Sequence, residues 1–370
     1  MKLLIPAAAG VEASVKRQLV TLGYGDCPAN NGRISLHGDW EDVARLNVSL
    51  RAGERVLIEL SSFPARTFDD LFEGVFSLPW EEYLTPHARI EMDGKSYKSR
   101  LAAIKAAGGV VKKAILKRLS EKLGVRTFDE KGERAIVGVS MFEDVASVTL
   151  DTSGDGLHKR GYRTLSYDAP LKETTAAAIL ELSHYRAERT FADLFCGSGT
   201  LPIEAALMAL NIAPNGKRDF DFMKWKCAPK VVLRAREAAK DAEKREKIEI
   251  FASDISERAI SIARYHARRA GVEEYIKFSI ADMRAFTSEE KGGVLVSNPP
   301  YGERLERGSD LSPLYRDFSR VFHRLDGWGC NFLTSFEGAE RAFGRCADKK
   351  RRIYNANIAC ILYSYLPRKK

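Results

Sequence analysis

The carboxyl-terminal part of the chain alternates between helical segments and short apolar runs, beginning near Ala169. The helical segments are predicted over residues 171–184, 199–210, 230–245, 256–270 and 311–325. The apolar runs are predicted to be strands over residues 190–194, 248–252, 276–280, 293–297, 329–334 and 353–365. Strands that alternate with helices are typical of a doubly wound, mostly parallel sheet, so an α/β, Rossmann-like domain is predicted here.

The chain up to about Asp168 has an α+β pattern instead. Strand, helix, strand, helix and strand are predicted over 1–6, 11–22, 32–38, 40–46 and 56–63, the order of a ferredoxin-like unit. Helical segments over 68–73 and 80–84 follow, then a strand over 88–92, helices over 101–107 and 110–123, and strands over 135–142 and 146–151. Val111, Ile115 and Leu119 form an apolar stripe on the helix 110–123.

Composition limits the class of protein. The chain has 370 residues, 45% hydrophobic and 29% charged, enough for two or three domains with their own cores. No run of about 18 apolar residues is present, so no membrane-spanning helix is predicted. The apolar stretch 1–10 is short and charged side chains follow at once, which favours a first strand and helix in a cytoplasmic protein over a signal peptide.

The cysteines and histidines indicate no metal. The six residues of each kind lack the spacing of a zinc site, and the cysteines lack that of a disulfide framework. Cys196, Cys330 and Cys360 lie in apolar stretches and are predicted to pack as small hydrophobic residues.

Positive charge is concentrated in one segment. The chain carries a net charge of +9, and residues 95–126 alone contain ten basic side chains and one acid, Glu121. Such a concentration indicates a polyanionic partner, with nucleic acid as the leading candidate and a merely solvated helix face as the alternative. The candidate contacts in this segment are Lys95, Lys98, Arg100, Lys112, Lys113, Lys117 and Arg118.

A glycine-rich turn follows the first strand of the α/β part. Gly197 and Gly199 allow the backbone to turn sharply and approach a ligand closely, and Phe195 and Cys196 lie in the same loop. The phosphate-binding pattern with a lysine after the second glycine is absent, and the spacing differs from the dinucleotide fingerprint. Asp193 would repel a pyrophosphate but would suit the ammonium and sulfonium groups of S-adenosylmethionine.

Two further acids follow the next two strands. Asp254 is placed to accept hydrogen bonds from both ribose hydroxyls, with Ile255 beside it, whereas the alternative role for Asp254 is a helix N-cap. Asp282 is placed to accept from an adenine amino group and Met283 to pack on the ring, and here the alternative is a surface turn.

The fourth strand ends in Asn298, Pro299, Pro300 and Tyr301. An exocyclic amino group on a base is a poor nucleophile because its lone pair is conjugated with the ring. The Asn298 side-chain oxygen and the Pro299 carbonyl are predicted to accept its two hydrogens, while the prolines stiffen the loop and Tyr301 stacks on the base. With the glycine turn and acids before it, this pattern predicts S-adenosylmethionine-dependent N-methylation.

These motifs together resemble those of the THUMP-domain class I RNA methyltransferases, especially the 23S rRNA guanine-N2 methyltransferases. The resemblance covers nearly the whole chain. The motifs are LHKRGYR at 157–163, APLKET at 169–174, CGSGTLPIEAA at 196–206 and NPPYGERL at 298–305.

The resemblance implies three regions: a ferredoxin-like region over 1–65, a THUMP RNA-binding domain over 66–155 and a Rossmann-like methyltransferase domain over 156–370. It places Thr174 near the methionine end of the cofactor and adds Lys159 and Arg160 to the candidate RNA contacts. Longer enzymes of this type carry a second methyltransferase domain, which this sequence lacks, so one modification activity is expected.

The expected activity is transfer of a methyl group from S-adenosylmethionine to N2 of a guanosine, with 23S rRNA favoured over tRNA. Adenine-N6 and protein-amide methylation are alternatives because the Asn-Pro-Pro-Tyr pattern serves those amino groups as well. A catalytically silent RNA-binding module is a third possibility, against which the intact Asp193, Asp254 and Asn298 argue.

Overall fold

The computed structural model describes residues 1–30, 32–165, 171–227, 231–300, 310–355 and 358–367. Its strands form two sheets of seven strands each, one in the α+β part and one in the α/β part. None of the helices within these ranges is both long and apolar enough to cross a membrane.

The first sheet joins the two amino-terminal regions. Its strands are β1 (Lys2–Pro6), β2 (Ala29–Asn30), β3 (Arg33–His37), β4 (Leu57–Pro64), β5 (Arg89–Tyr97), β6 (Arg134–Phe142) and β7 (Val145–Asp151). The order across the sheet is β2-β3-β1-β4-β7-β6-β5. Strand β4 pairs with β1 on one side and with β7 on the other, so the ferredoxin-like region and the THUMP region share one continuous sheet.

Helices cover one face of this sheet. They are α1 (Glu12–Thr21), α2 (Trp40–Ser49), α3 (Phe68–Phe76), α4 (Trp80–Tyr83) and α5 (Ile104–Leu123). The predicted stripe of Val111, Ile115 and Leu119 is fully buried on α5. The two helices predicted over 101–107 and 110–123 are a single helix, α5, which continues through Gly108 and Gly109.

The second sheet belongs to the α/β part. Its strands are β8 (Phe191–Asp193), β9 (Ile250–Asp254), β10 (Ile276–Ile280), β11 (Val294–Ser297), β12 (Gly329–Thr334), β13 (Lys349–Asn355) and β14 (Ile358–Tyr365). The order is β10-β9-β8-β11-β12-β14-β13, and β14 runs antiparallel to both neighbours. The order reverses between β8 and β11, which is where open α/β sheets bind their ligands.

The prediction of one late strand over 353–365 is wrong. The segment belongs to two antiparallel strands, β13 and β14, which pair from Lys349↔Ser364 to Asn355↔Ile358. The sequence between them contains neither glycine nor proline, and the available turn signal was the weaker one of Asn355 and Asn357.

The α/β part also contains six helices within the described residues. They are α6 (Glu173–Leu182), α7 (Thr200–Ala209), α8 (Val231–Asp241), α9 (Glu257–Ala270), α10 (Ser312–Arg324) and α11 (Ala339–Phe343), the last of which the sequence analysis did not predict. Short 3₁₀ helices cover Asp221–Lys224, Glu273–Tyr275 and Met283–Ala285. Cys196, Cys330 and Cys360 are buried, as predicted.

The long segment between α7 and β9, residues 210–249, connects the two sheets through side-chain contacts. The Asn215 amide donates to the carbonyl of Leu50 at 3.0 Å, and the Trp225 indole donates to the carbonyl of Arg134 at 2.9 Å. The ring of Phe222 stacks on Trp40, with 5.9 Å between centroids. This segment, which resembles an insertion in the sequence, is therefore a clamp between the α/β part and both amino-terminal regions.

Arg160 lies at the centre of the same junction. Its guanidinium is fully buried, donates to the carbonyl of Leu157 at 2.6 Å and to Asn215 at 3.2 Å, and pairs with Glu204 at 3.5 Å. The prediction that Arg160 contacts RNA is therefore wrong, because the charge is enclosed and its donors are used inside the protein. Its neighbour Lys159 is well exposed and pairs with Asp155.

We expect Arg160→Ala to lower the free energy of unfolding by about 3 kcal/mol or more, because it removes the cation that pairs with the buried Glu204 and leaves that carboxylate only the hydrogen bond from Tyr162. Lys159→Ala, one residue away and exposed, should change it by less than about 0.5 kcal/mol. Urea-induced unfolding followed by circular dichroism measures both. Equal unfolding midpoints for the two variants would contradict the role of Arg160 at the junction.

Candidate active site

Two loops meet at the carboxyl ends of the adjacent parallel strands β8 and β11. Asp193 ends β8 and Ser297 ends β11, and the Ser297 hydroxyl donates to Asp193 Oδ1 at 2.8 Å. The same hydroxyl oxygen accepts from the backbone N–H of Leu194 at 3.2 Å. Ser297 thus ties the two strand ends together. Ser297 was not among the predicted site residues, although a hydroxyl directly before Asn298 was a usable signal.

The conformation of the glycine-rich loop requires glycine at positions 197 and 199. Gly197 and Gly199 have φ angles of 51° and 86°, in the left-handed region that favours glycine. A Cβ atom on Gly199 would lie 2.9 Å from Cβ of Ala263 on α9, so the loop packs closely on that helix. These two conditions fix the course of the chain into α7.

Asp254 holds this loop from the neighbouring strand end. Its Oδ2 accepts from the Gly197 N–H at 3.0 Å and its Oδ1 from the Ser256 N–H at 2.9 Å. The N-cap of α9 is Ser256, which accepts from the N–H of Ala259, so the alternative of Asp254 as the cap is wrong. Its contact with a ribose stays a prediction.

Asp193 is buried at the bottom of the site. Its Oδ1 accepts from the Phe195 N–H at 3.1 Å as well as from Ser297. Burial raises its pKa to about 7, and the negative charge of Asp254 adds to this shift. Burial also raises the pKa of the Cys196 thiol, so the thiol is neutral at ordinary pH and is not poised as a nucleophile.

An apolar surface lies beside Asp254. Ile280 stands opposite Asp254 in the sheet register and is 56% exposed, and Ile255 is 75% exposed. Exposed apolar side chains beside a strand end suit a flat heterocycle such as adenine. Met283, which the sequence analysis placed against the ring, is only 4% exposed, so Ile280 offers more contact surface.

Asp282 already has a partner. Its carboxylate makes a two-point ion pair with Arg284, at 2.9 and 2.6 Å. The hydrogen bonds from Arg284 lower the pKa of Asp282 to about 2. The carboxylate is therefore charged at neutral pH, and its contact with an adenine amino group stays a prediction.

Asn298 presents an unused acceptor at the end of β11. Its side-chain oxygen is buried and has no hydrogen-bond partner within the described part of the chain. The loop behind it is supported by Tyr315 of α10, whose hydroxyl lies 2.6 Å from the Thr334 hydroxyl and donates to the carbonyl of Pro300 at 3.5 Å. Pro299 is buried, and Tyr301 lies outside the described residues. A buried acceptor without a donor is suited to an incoming amino group.

Glu54 of the amino-terminal region contacts the start of α6. Thr174 is buried and its hydroxyl donates to Glu54 at 3.1 Å, while Lys172 lies 3.8 Å from the same carboxylate. The contact of Thr174 with a cofactor stays a prediction. Burial raises the pKa of the neighbouring Glu173 to about 7, against the opposing charge of Arg163, which lies 3.2 Å away.

The basic segment is less uniform than its sequence indicated. Lys113 and Lys117 are exposed on α5, where Lys117 lies 4.0 Å from the equally exposed Glu121, and Lys112 pairs with Glu130 at 2.7 Å. Arg118 makes a two-point ion pair with Glu81, at 2.9 and 2.6 Å, and is largely enclosed. The prediction that Arg118 faces outward to RNA is therefore wrong, because its guanidinium is paired with Glu81 on α4 and little of the side chain is exposed.

The other cations of the segment lie along β5 and just beyond it. Lys95 is on β5, and Lys98 and Arg100 follow it as exposed side chains. Their contacts with RNA stay predictions. Among the residues described, no group of three or more His, Cys, Asp or Glu side chains is arranged to hold a metal ion.

Family models match the whole architecture. The model described as "RMKL-like, methyltransferase domain" matches residues 160–364, and those of the RlmL ferredoxin-like domain and the THUMP domain match residues 2–57 and 65–151. The chain therefore belongs to the RMKL-like family of S-adenosylmethionine-dependent RNA methyltransferases that carry a THUMP domain.

Two curated relatives support this membership. "Putative RNA methyltransferase YpsC" of Bacillus subtilis (strain 168) is 40% identical over 98% of this chain and 95% of its own length. "Ribosomal RNA large subunit methyltransferase K/L" of Psychromonas ingrahamii is 33% identical over 98% of this chain. The chain spans 49% of the length of that second relative.

Solved structures show the same fold. SMU.472, described as a putative methyltransferase complexed with SAH, has a TM-score of 0.93 at 39% identity and covers 100% of this chain and 98% of its own. A "predicted N6-adenine-specific DNA methylase" from Listeria monocytogenes has a TM-score of 0.93 at 42% identity, covering 99% of this chain and 96% of its own. The cofactor is S-adenosylmethionine, and the glycine turn, the carboxylates and the apolar surface fit it.

The pKa of Asp193 generates a test of its role. Below about pH 7 the carboxyl is neutral and above it charged, so its attraction for a cationic cofactor is lost as the pH falls. We expect the affinity for S-adenosylmethionine to fall up to about tenfold between pH 8 and pH 6, and Asp193→Asn to bind more weakly without that component. Calorimetric titration of both proteins in matched buffers measures this. Identical pH profiles would remove Asp193 from cofactor binding.

Proposed function

We propose that this protein transfers a methyl group from S-adenosylmethionine to the exocyclic N2 of a guanosine in 23S rRNA, in the cytoplasm. The observation that carries the reaction is the buried, unpartnered oxygen of Asn298 at the point where the strand order reverses. The choice of RNA is supported by the THUMP domain and by the names of the two curated relatives.

The residues of the site act on the amino group. Asn298 Oδ1 and the carbonyl of Pro299 accept its two hydrogens and turn the nitrogen lone pair away from the ring. When bound, S-adenosylmethionine supplies an electrophilic methyl group attached to sulfur. One N–H bond is exchanged for one N–CH₃ bond: the S–CH₃ bond of the cofactor would break, S-adenosylhomocysteine would leave as the neutral thioether, and the proton of the nitrogen is released to solvent. Since Ser297 and Tyr315 fix the Asn298 loop from both sides, the acceptors are oriented before the substrate arrives.

Transfer RNA is the second candidate substrate. A structure described as TrmN from Thermus thermophilus shares the fold, with a TM-score of 0.74 and 20% identity over 99% of this chain. An acceptor such as Asn298 also suits an adenine or a side-chain amide, so the site alone does not select the guanine. The exposed cations Lys113 and Lys117 favour a nucleic acid over a protein substrate.

The function is tested by mass spectrometry of nucleosides from purified 23S rRNA and tRNA. A strain lacking the protein should lose one N2-methylguanosine from 23S rRNA, and the wild-type gene should restore it. Loss of the nucleoside from tRNA instead would replace the rRNA substrate by tRNA, and loss of N6-methyladenosine would replace the target base. An unchanged set of methylated nucleosides in both RNAs would overturn the function.

We expect Asn298→Ala to lower turnover at least about 100-fold while cofactor affinity stays within a few-fold, because the carboxamide acts on the amino group in the transition state. Asn298→Asp keeps an acceptor oxygen and should retain more activity than the alanine variant. Methyl transfer from labelled S-adenosylmethionine to RNA of the deletion strain measures turnover, and calorimetry measures affinity. Unchanged turnover of Asn298→Ala would remove Asn298 from the mechanism.

The exposed side of α5 generates a salt-dependence test. We expect Lys113→Ala with Lys117→Ala to weaken RNA binding and lower the slope of log affinity against log salt by about two units, since each lost phosphate contact removes about one. Arg118→Ala is the matched control on the same helix. Because Arg118 is paired with Glu81, its loss should lower stability and leave the slope unchanged.

Filter binding over several salt concentrations measures both proteins. If the double lysine variant keeps the wild-type slope, this side of α5 is only solvated and RNA binds elsewhere.

A further inference from the structure

The first sheet has one face that its helices leave open. On β6 the side chains of Ala135, Val137 and Val139 are buried in the core that the helices share, whereas Ser140 and Phe142 alternate with them and point to the other side. That side is the open face of the sheet.

The open face is strongly concave. Arg33 on β3 donates from its guanidinium to the Ser140 hydroxyl on β6 at 3.0 Å. Three strands, β1, β4 and β7, lie between these two. In a flat sheet the strands would be about 19 Å apart, at about 4.8 Å per step, which is farther than an arginine reaches. The sheet therefore curls into a trough.

A cavity of about 830 Å³ occupies the outer half of this trough. Its walls carry five serines, the cations of Lys2, Arg33 and Lys95, and at its mouth the rings of Tyr97 and Phe142. This volume lies within the range of about 300–1,000 Å³ that is typical of small-molecule sites. The cavity therefore combines hydrogen-bonding groups, positive charge and aromatic surface.

The aromatic pair is unusual for its exposure. Tyr97 and Phe142 face each other across β5 and β6, their ring centroids are 5.8 Å apart and their planes differ by 12°. The two residues are 59% and 40% exposed. Lys98 lies over the Tyr97 ring, with Nζ 5.4 Å from its centroid. Solvent-facing aromatic rings beside cations are the arrangement on which unpaired bases stack.

Charge separates the outer half of the trough from the inner half. Lys98 adds positive charge outside the mouth, whereas Arg100 pairs with Asp144 at 3.7 Å. Glu59 pairs with Lys2 and accepts from the Ser147 hydroxyl, and Glu143 is the second acid that lines the outer half. The inner cavity, of about 640 Å³, is lined by four acids, Glu12, Glu54, Asp93 and Asp151, and by three cations, Arg33, Arg55 and Lys95. The lining of the outer cavity thus carries three cations and two acids, and that of the inner cavity three cations and four acids, so a phosphate is held better in the outer half than in the inner half.

We propose that the outer half of the trough binds an unpaired stretch of the substrate RNA, with a base stacked on the Tyr97–Phe142 pair. The backbone of that stretch lies near Lys95 and Lys98. The RNA is unpaired because the bases of a duplex are already stacked on both sides and are closed to an aromatic ring. The proposal rests on the proposed function, since it assumes that RNA is the substrate.

The test compares three variants with the wild type. Tyr97→Ala with Phe142→Ala removes the pair, and both residues are exposed, so the fold should persist. Tyr97→Phe keeps the ring. Phe68→Ala, at the first residue of α3, removes an aromatic residue that is also 40% exposed but does not line the cavity. Circular dichroism verifies the fold of each variant.

Fluorescence anisotropy then measures binding of a labelled oligouridylate of about twelve nucleotides and of an RNA duplex of the same length. The double variant should bind oligouridylate at least about tenfold more weakly and the duplex within about twofold of the wild type. Tyr97→Phe and Phe68→Ala should bind both as the wild type does. For rRNA from the deletion strain, the double variant should raise KM and leave kcat unchanged.

The outcomes separate the two proposals. If the wild type methylates RNA but the double variant binds oligouridylate with wild-type affinity, the trough proposal is overturned and the function stands. If the wild type methylates no RNA, the proposed function fails, whatever the oligonucleotide shows. If the double variant is impaired only on ribosomal subunits and not on deproteinised rRNA, the trough binds a protein and the RNA proposal is overturned.

Discussion

The relation between the two sheets depends on one buried guanidinium. Arg160 donates to the carbonyls of Leu50 and Leu157, to Asn215, and to Glu204 on α7. These partners belong to the amino-terminal region, the connection between the parts, the clamp segment and the helix that follows the glycine-rich loop. Because a buried charge is tolerated only where its donors are used, this arrangement permits few alternative positions of one sheet against the other.

The site itself depends on carboxylates that are kept in different environments. Asp193 is enclosed and its pKa lies near neutrality, whereas Asp282 is more exposed and its pKa is lowered by Arg284. A cationic ligand would therefore gain most at Asp193, where water no longer screens the charge. Ser297 and the N–H of Phe195 fix that carboxyl, so its orientation costs nothing further when a ligand arrives.

The sequence was most informative where local pattern decides structure. The apolar runs that end in Asp193, Asp254 and Ser297 predicted which strand ends would lie together, because parallel strands place their carboxyl ends at one edge. The glycine-rich turn and the Asn298 motif could be recognised for a similar reason, since each consists of consecutive residues that follow a predicted strand. The break between β13 and β14 was not predicted, because Asn355 and Asn357 are a weak signal without a glycine or proline beside them.

The role of a side chain could not be predicted where it depends on a partner far away in the sequence. Lys159 and Arg160 are neighbours of equal charge, yet Lys159 is exposed and Arg160 is enclosed by groups that mostly lie 44 to 110 residues away. Arg118 is neutralised by Glu81, 37 residues earlier. The sequence thus gives the charge of a segment. Whether a charged side chain faces the solvent or pairs with another group of the protein depends on the tertiary structure.

The contact between Glu54 and Thr174 shows why the two parts need a fixed geometry. Glu54 borders the inner half of the trough and accepts a hydrogen bond at the start of α6, so one carboxylate belongs to both the first sheet and the methyltransferase domain. An amino group must approach Asn298 to within hydrogen-bonding distance, and a displacement of about 1 Å is enough to lose much of that benefit. An RNA held on one sheet can meet this requirement at the other only if the junction is rigid. The buried contacts of Arg160, Asn215 and Glu54 provide that rigidity, and flexible attachment of an RNA-binding domain would not.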